Sequence, residues 1–178
     1  MVKYAAADYY QQSTARLRFR KMEESDLSVW KEFFYNNPLE GYLGIDVSLD
    51  AETKAVNWIN LQLKRYKGAN FGHLAAIDKQ TDTFIGVGGI IPRELDSQPE
   101  FEIAYSILPV FWGKGYATEL AQQMKKYAKK IELWDSLISI IHIDNHASKK
   151  VARKNGMEIS ARITYLGMEV EVFRLKLS

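Results

Sequence analysis

The residues Phe111-Trp112-Gly113-Lys114-Gly115-Tyr116-Ala117-Thr118-Glu119 constrain this chain more than any other stretch, because they turn an apolar strand into a helix through two glycines. Glycine accepts left-handed backbone at no steric cost, so successive N–H groups can point outward as the helix begins. The helix adds the positive end of its dipole and the unpaired donors of its first turn. Such a turn is an anion cradle, and a phosphate group fits it. Similar turns also join strands to helices in proteins that bind nothing there, so the cradle alone leaves the ligand open. Two phosphate fingerprints are excluded. No G-x-x-x-x-G-K-[ST] occurs, and Gly86-Val87-Gly88-Gly89 lacks the G-x-G-x-x-G register and lies inside an apolar strand pattern.

The flanking patterns place the cradle in an α/β domain. Arg16 to Met22 alternates at period two and predicts a strand, then Leu27, Trp30, Phe33 and Phe34 recur at helical spacing up to Asn36-Asn37-Pro38. A loop carrying Tyr42, Leu43 and Ile45 leads to a second helix, Asp50 to Lys67. Asp50 is its N-cap, Gly68 its stop, and Ala55, Trp58, Ile59, Leu61, Gln62 and Tyr66 run along it. Strands follow at 73–78, 83–91 and 100–108, with a loop expected from Pro92 to Pro99. The cradle helix comes next, and Ser136 to Ile143 reads as a strand buried on both faces. Asp144-Asn145-His146 opens a short helix capped by Asn155-Gly156, and two strands close the chain as a hairpin. The strands before and after the cradle helix are then parallel neighbours in a right-handed βαβ unit.

Length and composition bound the possibilities. A chain of 178 residues with 47% apolar content supports one core, so residues 1–178 read as one domain. The 24 basic and 22 acidic residues leave a net charge of +2, too balanced to indicate nucleic acid. No cysteine occurs, which excludes thiol catalysis and thiolate metal sites, and three scattered histidines make a poor metal site. Met1 to Ala15 lacks an apolar signal core, and no run approaches the roughly 18 apolar residues of a membrane span, so a cytoplasmic protein is expected.

Trp112-Gly113-Lys114-Gly115-Tyr116-Ala117 resembles the phosphate-binding signature of the GNAT acyl-CoA N-acyltransferases: Gln or Arg, two residues, Gly, one residue, then Gly or Ala. Only the first position, Trp112, departs from it. Glu102-Ile103-Ala104-Tyr105 before the turn, and Asn145-x-x-Ser148 with Lys154-Asn155-Gly156-Met157 after it, are similar to the family's branch of ribosomal-protein N-terminal and small-amine acetyltransferases. The resemblance covers most of the chain. It implies a mixed, largely antiparallel sheet with a splayed central parallel pair and about four flanking helices. It also implies an acetyl-CoA cofactor, with pantetheine pairing the backbone of Ser106, Ile107 and Leu108. The pyrophosphate would rest on the N–H groups of Gly113, Lys114, Gly115, Tyr116, Ala117 and Thr118.

Direct transfer from a thioester to an amine needs a deprotonated amine, a stabilised oxyanion and a proton for the leaving thiolate. By the resemblance, a backbone N–H near Leu108 serves the oxyanion. Glu102 accepts the amine's proton through water if it faces the cleft, and is otherwise a solvated strand carboxylate. Ser148 is the candidate proton donor with Asn145 orienting it and Tyr105 as a second donor, although Asn and Ser at such positions also simply cap helices. His142 and His146 are alternative bases with ordinary structural roles open to them. Lys114, Lys149 and Lys150 are candidates for coenzyme phosphates, while Lys125 to Lys130 read as a solvated face. Phe33, Tyr42 and Trp58 are the candidate acceptor wall. The acceptor is then a small-molecule or protein N-terminal amine, and a homodimer is compatible with all of this. An aminoglycoside or polyamine is the rival acceptor, with Glu40, Asp46 and Asp50 as its carboxylates. A non-catalytic acyl-CoA-binding module is the rival class.

Overall fold

A computed structural model describes residues 5, 7–35, 37–68 and 70–177. Residues 1–4 of the expected leaderless N-terminus, and Asn36 of the expected helix stop, lie outside them. Seven strands form one sheet in the order β1-β2-β3-β4-β5-β7-β6. They are β1 (Leu17–Lys21), β2 (His73–Asp78), β3 (Phe84–Leu95), β4 (Gln98–Ile107), β5 (Ser136–His142), β6 (Glu158–Tyr165) and β7 (Met168–Lys176). The helices are α1 (Leu27–Trp30), α2 (Ala51–Lys67), α3 (Tyr116–Ile131) and α4 (His146–Lys154). Every neighbouring pair of strands is antiparallel except β4 and β5. Among the described residues, no helix is long and apolar enough to cross a membrane.

Two expectations give way here. The segment from Pro92 to Pro99 is a hairpin, because Asp96 and Ser97 take φ of 49° and 62° and close a tight two-residue turn between Leu95 and Gln98. Both prolines stand in strands where the missing N–H faces away from the β3/β4 ladder, so neither breaks it. The first helix is one α-turn between 3-10 turns at Glu24–Asp26 and Lys31–Phe33, and its aromatic residues stack instead of forming a long amphipathic face. In α2 the expected core face holds apart from Leu61, which is 48% exposed.

Packing fixes where the cradle can sit. Leu120, Met124 and Ala128 of α3 are buried against the sheet, each large side chain contributing roughly 1.5–3 kcal/mol. A Cβ at Gly88 would lie 2.6 Å from Leu120 Cδ2, so the glycine of β3 is what admits the helix so closely. Tyr9, fully buried in the turn Ala7–Gln11, donates to Gly72 O at 2.7 Å and accepts from the Ile90 N–H at 2.8 Å.

The parallel pair is a fork. β4 and β5 share one register pair, Glu102 with Ile138, and side chains then take over from the ladder. Ser139 Oγ donates to Ile103 O at 2.7 Å, and the Ile140 N–H donates to Glu102 Oε1 at 3.1 Å. Beyond these two bonds the strands diverge and leave the gap in which the site lies.

Candidate active site

Gly113 and Gly115 take φ of 76° and 81°, and Gly115 caps α3 without any side-chain bond. The first backbone bond of the helix runs from Glu119 N–H to Gly115 O, so among the described residues the N–H groups of 113 to 118 have no backbone partner. The cradle is braced from behind. Arg16 donates to Lys114 O at 3.0 Å and, through Nε, to Glu119 Oε2 at 2.6 Å, while Thr14 Oγ1 donates to Glu119 Oε1 at 2.5 Å. Burial works against the charge on Glu119, yet the Thr14 and Arg16 donors hold its carboxyl below the ordinary value. With Glu119 engaged there, the helix N-terminus keeps its donors for an outside anion.

A cavity of about 350 Å³ runs from this cradle along the fork, lined by Gly113, Gly115, Tyr116, Ala117 and Thr118 at one end and by Tyr105, Ser106, Asn145 and Ser148 at the other. A second cavity of about 110 Å³, lined by Tyr42, Trp58, His73, Arg93 and Glu102 among others, shares Leu43, Tyr105, Ser106, Asn145 and Ser148 with the first. Of the candidate catalytic residues, Tyr105, Asn145 and Ser148 therefore stand where the two cavities meet, and Glu102 lines the second alone. Asn145 Oδ1 accepts the Ser148 N–H at 3.1 Å and caps α4, so the capping role is real and it also fixes both residues at the junction. Tyr105 donates to Ser148 O at 3.0 Å, and burial pushes its phenol up, so it stays protonated. The Ser148 hydroxyl makes no hydrogen bond to the described residues.

Glu102 is not a solvated strand carboxylate. It is 5% exposed, faces the second cavity, and accepts from Arg93 Nε at 2.6 Å as well as from Ile140. Burial works against the charge on Arg93, but the Glu102 carboxylate holds its guanidinium above the ordinary value.

Several expected contacts move. The Leu108 N–H donates to Ile85 O at 3.0 Å, so it cannot serve an oxyanion. By alternation along β4, the backbone groups of Ser106 and Leu108 face β3 and those of Tyr105 and Ile107 face the gap, and Ser106 reaches the cavities by its side chain instead. Ile107 O already accepts the Trp112 indole N–H at 2.6 Å, which gives the departure at Trp112 a definite role as a clasp between cradle and fork. Lys149 pairs with Glu171 of β7 at 2.8 Å and is buried, away from both cavities, whereas Lys150 and Lys154 line the first. The Lys114 ammonium lies over the Phe111 ring. Lys125 and Lys130 are not simply solvated, since they bond Asn155 O and Asp8. Phe33 lines the first cavity, and only Tyr42 and Trp58 of the expected wall line the second. Glu40 pairs with Lys54, Asp46 bonds Ser48, and Asp50 caps α2, so none of these carboxylates borders either cavity.

Three residues of the site went unread in the sequence. Arg16 sits in a strand pattern where basic residues read as solvent-facing, Arg93 falls in the loop expected from Pro92 to Pro99, and His73 reads as the first residue of a strand. Their roles come from distant partners. Gln62 Oε1 accepts the His73 N–H at 2.9 Å and the Tyr66 hydroxyl donates to its carbonyl, so α2 holds the His73 backbone while the imidazole stacks on Trp58 with centroids 5.3 Å apart. Tyr42 stacks in the same way on His142, at 4.1 Å.

Residues 16–158 match the model of the acetyltransferase (GNAT) domain. The uncharacterized protein YkkB of Bacillus subtilis (strain 168) is 30% identical over 165 residues, spanning 92% of this chain and 94% of its own. The fold is similar to that of the spermidine N-acetyltransferase from Vibrio cholerae solved with CoA and spermine, with a TM-score of 0.73, 16% identity, and coverage of 92% of this chain and 97% of that one. It is equally similar to the acetyl transferase of Salmonella typhimurium that modifies an N-terminal serine of a ribosomal subunit protein, with a TM-score of 0.74, 16% identity, and coverage of 92% and 96%. At these identities the likeness to the two solved structures is one of fold.

Proposed function

The chain belongs to the GNAT acetyltransferases, and we propose that it transfers the acetyl group of acetyl-CoA directly to a primary amine that enters by the second cavity. One observation carries this reading: a cradle-ended cavity and a separate smaller one share a wall made of Tyr105, Ser106, Asn145 and Ser148. The unpaired N–H groups of 113 to 118 fit a pyrophosphate, and the gap-facing backbone of Tyr105 and Ile107 fits a pantetheine arm. Bound there, the coenzyme supplies an activated thioester. The chain's own task is to exclude water, orient the amine and move two protons.

Glu102 takes the amine's proton through a water, with Arg93 compensating its buried charge. The Ser148 hydroxyl, held at the junction by the Asn145 cap, supplies the proton for the leaving thiolate, and the protonated Tyr105 phenol lies next to it. The N–H groups of Tyr105 and Ile107 are the donors available to a developing oxyanion. Both structural neighbours are acetyltransferases, one named for spermidine and the other for a protein N-terminal serine. Calorimetry with CoA, followed by a panel of amines assayed for CoA release, tests the reading. Micromolar CoA binding together with turnover on at least one amine is expected. CoA binding without turnover on any amine would make the protein a binding module.

A further inference from the structure

Trp58 and His73 line the second cavity, and Trp58 Nε1 and both ring nitrogens of His73 are buried with no hydrogen-bond partner among the described residues. His73 is 5% exposed, and Trp58 and His73 are stacked face to face, so the orphaned groups are adjacent. A buried polar group without a partner costs about 1–3 kcal/mol, and such groups, here the indole N–H and the one N–H and one bare nitrogen of a neutral imidazole, call for a ligand or an ordered water. Arg93 also lines this cavity, with its Nε on Glu102 and Tyr165 beside the guanidinium.

The charge balance points the same way. Arg65 and Arg93 both act on His73, against the single carboxylate of Glu102. Burial, with those two charges, holds the imidazole well below its ordinary value, so it is neutral near pH 7 and does not add a third charge. Glu102 is the only carboxylate on the described wall of this cavity, and it is already engaged by Arg93 and Ile140. A polycationic amine would find no unengaged carboxylate there. At about 110 Å³ the space suits a handful of heavy atoms.

We propose that the acceptor is a small amine carrying a carboxylate, an amino-acid-like molecule whose oxygens are bound by Arg93, Trp58 Nε1 and His73. The proposal rests on reading the second cavity as the acceptor site. Arg93, Glu102 and Tyr105 border the same small cavity, so an amine whose carboxylate is held by Arg93 stays within the space that Glu102 and Tyr105 also line. The reaction is then the formation of an N–C bond to the acetyl carbon with cleavage of its C–S bond. The amine's proton leaves by Glu102, and the thiolate is protonated from Ser148.

The test uses matched acceptors at saturating acetyl-CoA: a small α-amino acid, its carboxamide, its decarboxylated amine, and a polyamine. The amino acid is expected to show at least about tenfold higher kcat/KM than the other three, and to raise the melting temperature of the CoA complex when the decarboxylated amine does not. Trp58→Phe, which keeps the ring and removes one donor, should narrow the preference about fivefold while leaving CoA affinity unchanged. His73→Gln is the second variant should the first fail to fold. Equal use of the carboxamide or the decarboxylated amine, or a preference for the polyamine, would overturn the proposal. Failure of CoA to bind at all is read out separately and counts against the enzymatic reading itself.

Discussion

At the residue scale, one short helix terminus is both a cap and a cavity wall. Asn145 caps α4 by accepting the Ser148 N–H, and this same bond leaves the Ser148 hydroxyl at the junction of the cavities, next to the Tyr105 phenol. Capping and a place on the shared cavity wall are therefore not alternatives at these positions. Ser148→Ala is expected to lower kcat about 10- to 100-fold while CoA affinity, measured by calorimetry, stays within about threefold, because the hydroxyl moves a proton but the cradle holds the anion. A matching loss of CoA affinity with kcat unchanged would assign Ser148 to binding. The residue types at 102, 145 and 148 were legible from spacing and resemblance. Arg93 and His73 were not, since their nearest functional partners, Glu102 and Trp58, lie in other elements and no local pattern announces the pairing.

At the element scale, the cradle depends on two backbones held in a fixed relation. Arg16, at the start of β1, ties down Lys114 O and Glu119, while Trp112 clasps Ile107 O at the end of β4. A Cβ at Gly115 would meet only Arg16 Nη2, at 3.5 Å, so a side chain there acts chiefly through the left-handed backbone at φ of 81°. Forcing a β-branched residue into that conformation costs at least about 1–2 kcal/mol. The turn would relax and swing its donors away. Gly115→Val should weaken CoA binding at least tenfold by calorimetry with the fold retained by circular dichroism, and unchanged affinity would place the anion elsewhere. Elements whose pattern is local, such as α2 with its Asp50 cap and the β6/β7 hairpin at Leu166-Gly167, matched their sequence reading closely. The segment 92–99 did not, because two prolines read as loop while the Asp96-Ser97 turn between them makes a hairpin.

At the scale of the whole molecule, the second cavity is coupled to stability through His73. The unfolded chain titrates this residue near 6.5, and the folded chain holds it well below that value. Between the two values the unfolded state binds more protons, so the contribution is complete above about pH 6.5 and is lost as pH falls beneath it. From pH 7.5 to 5.5 the loss is on the order of 1 kcal/mol. Urea unfolding at the two pH values should show that loss, and His73→Phe, which preserves stacking on Trp58, should remove it; an unchanged slope in the variant would assign the pH dependence to other groups. By itself the sequence determined the α/β class, the order of its main elements and the glycine cradle, because each is written in local periodicity, capping or backbone freedom, while the residues at the junction were legible through the family resemblance. Only the tertiary structure decided that Glu102 is buried against Arg93, that Lys149 belongs to Glu171, that the Leu108 N–H is used within the sheet, and that a second cavity bordered by Arg93, His73 and Trp58 exists. Each of these depends on which strands lie side by side, and that adjacency is set by packing between segments dozens of residues apart.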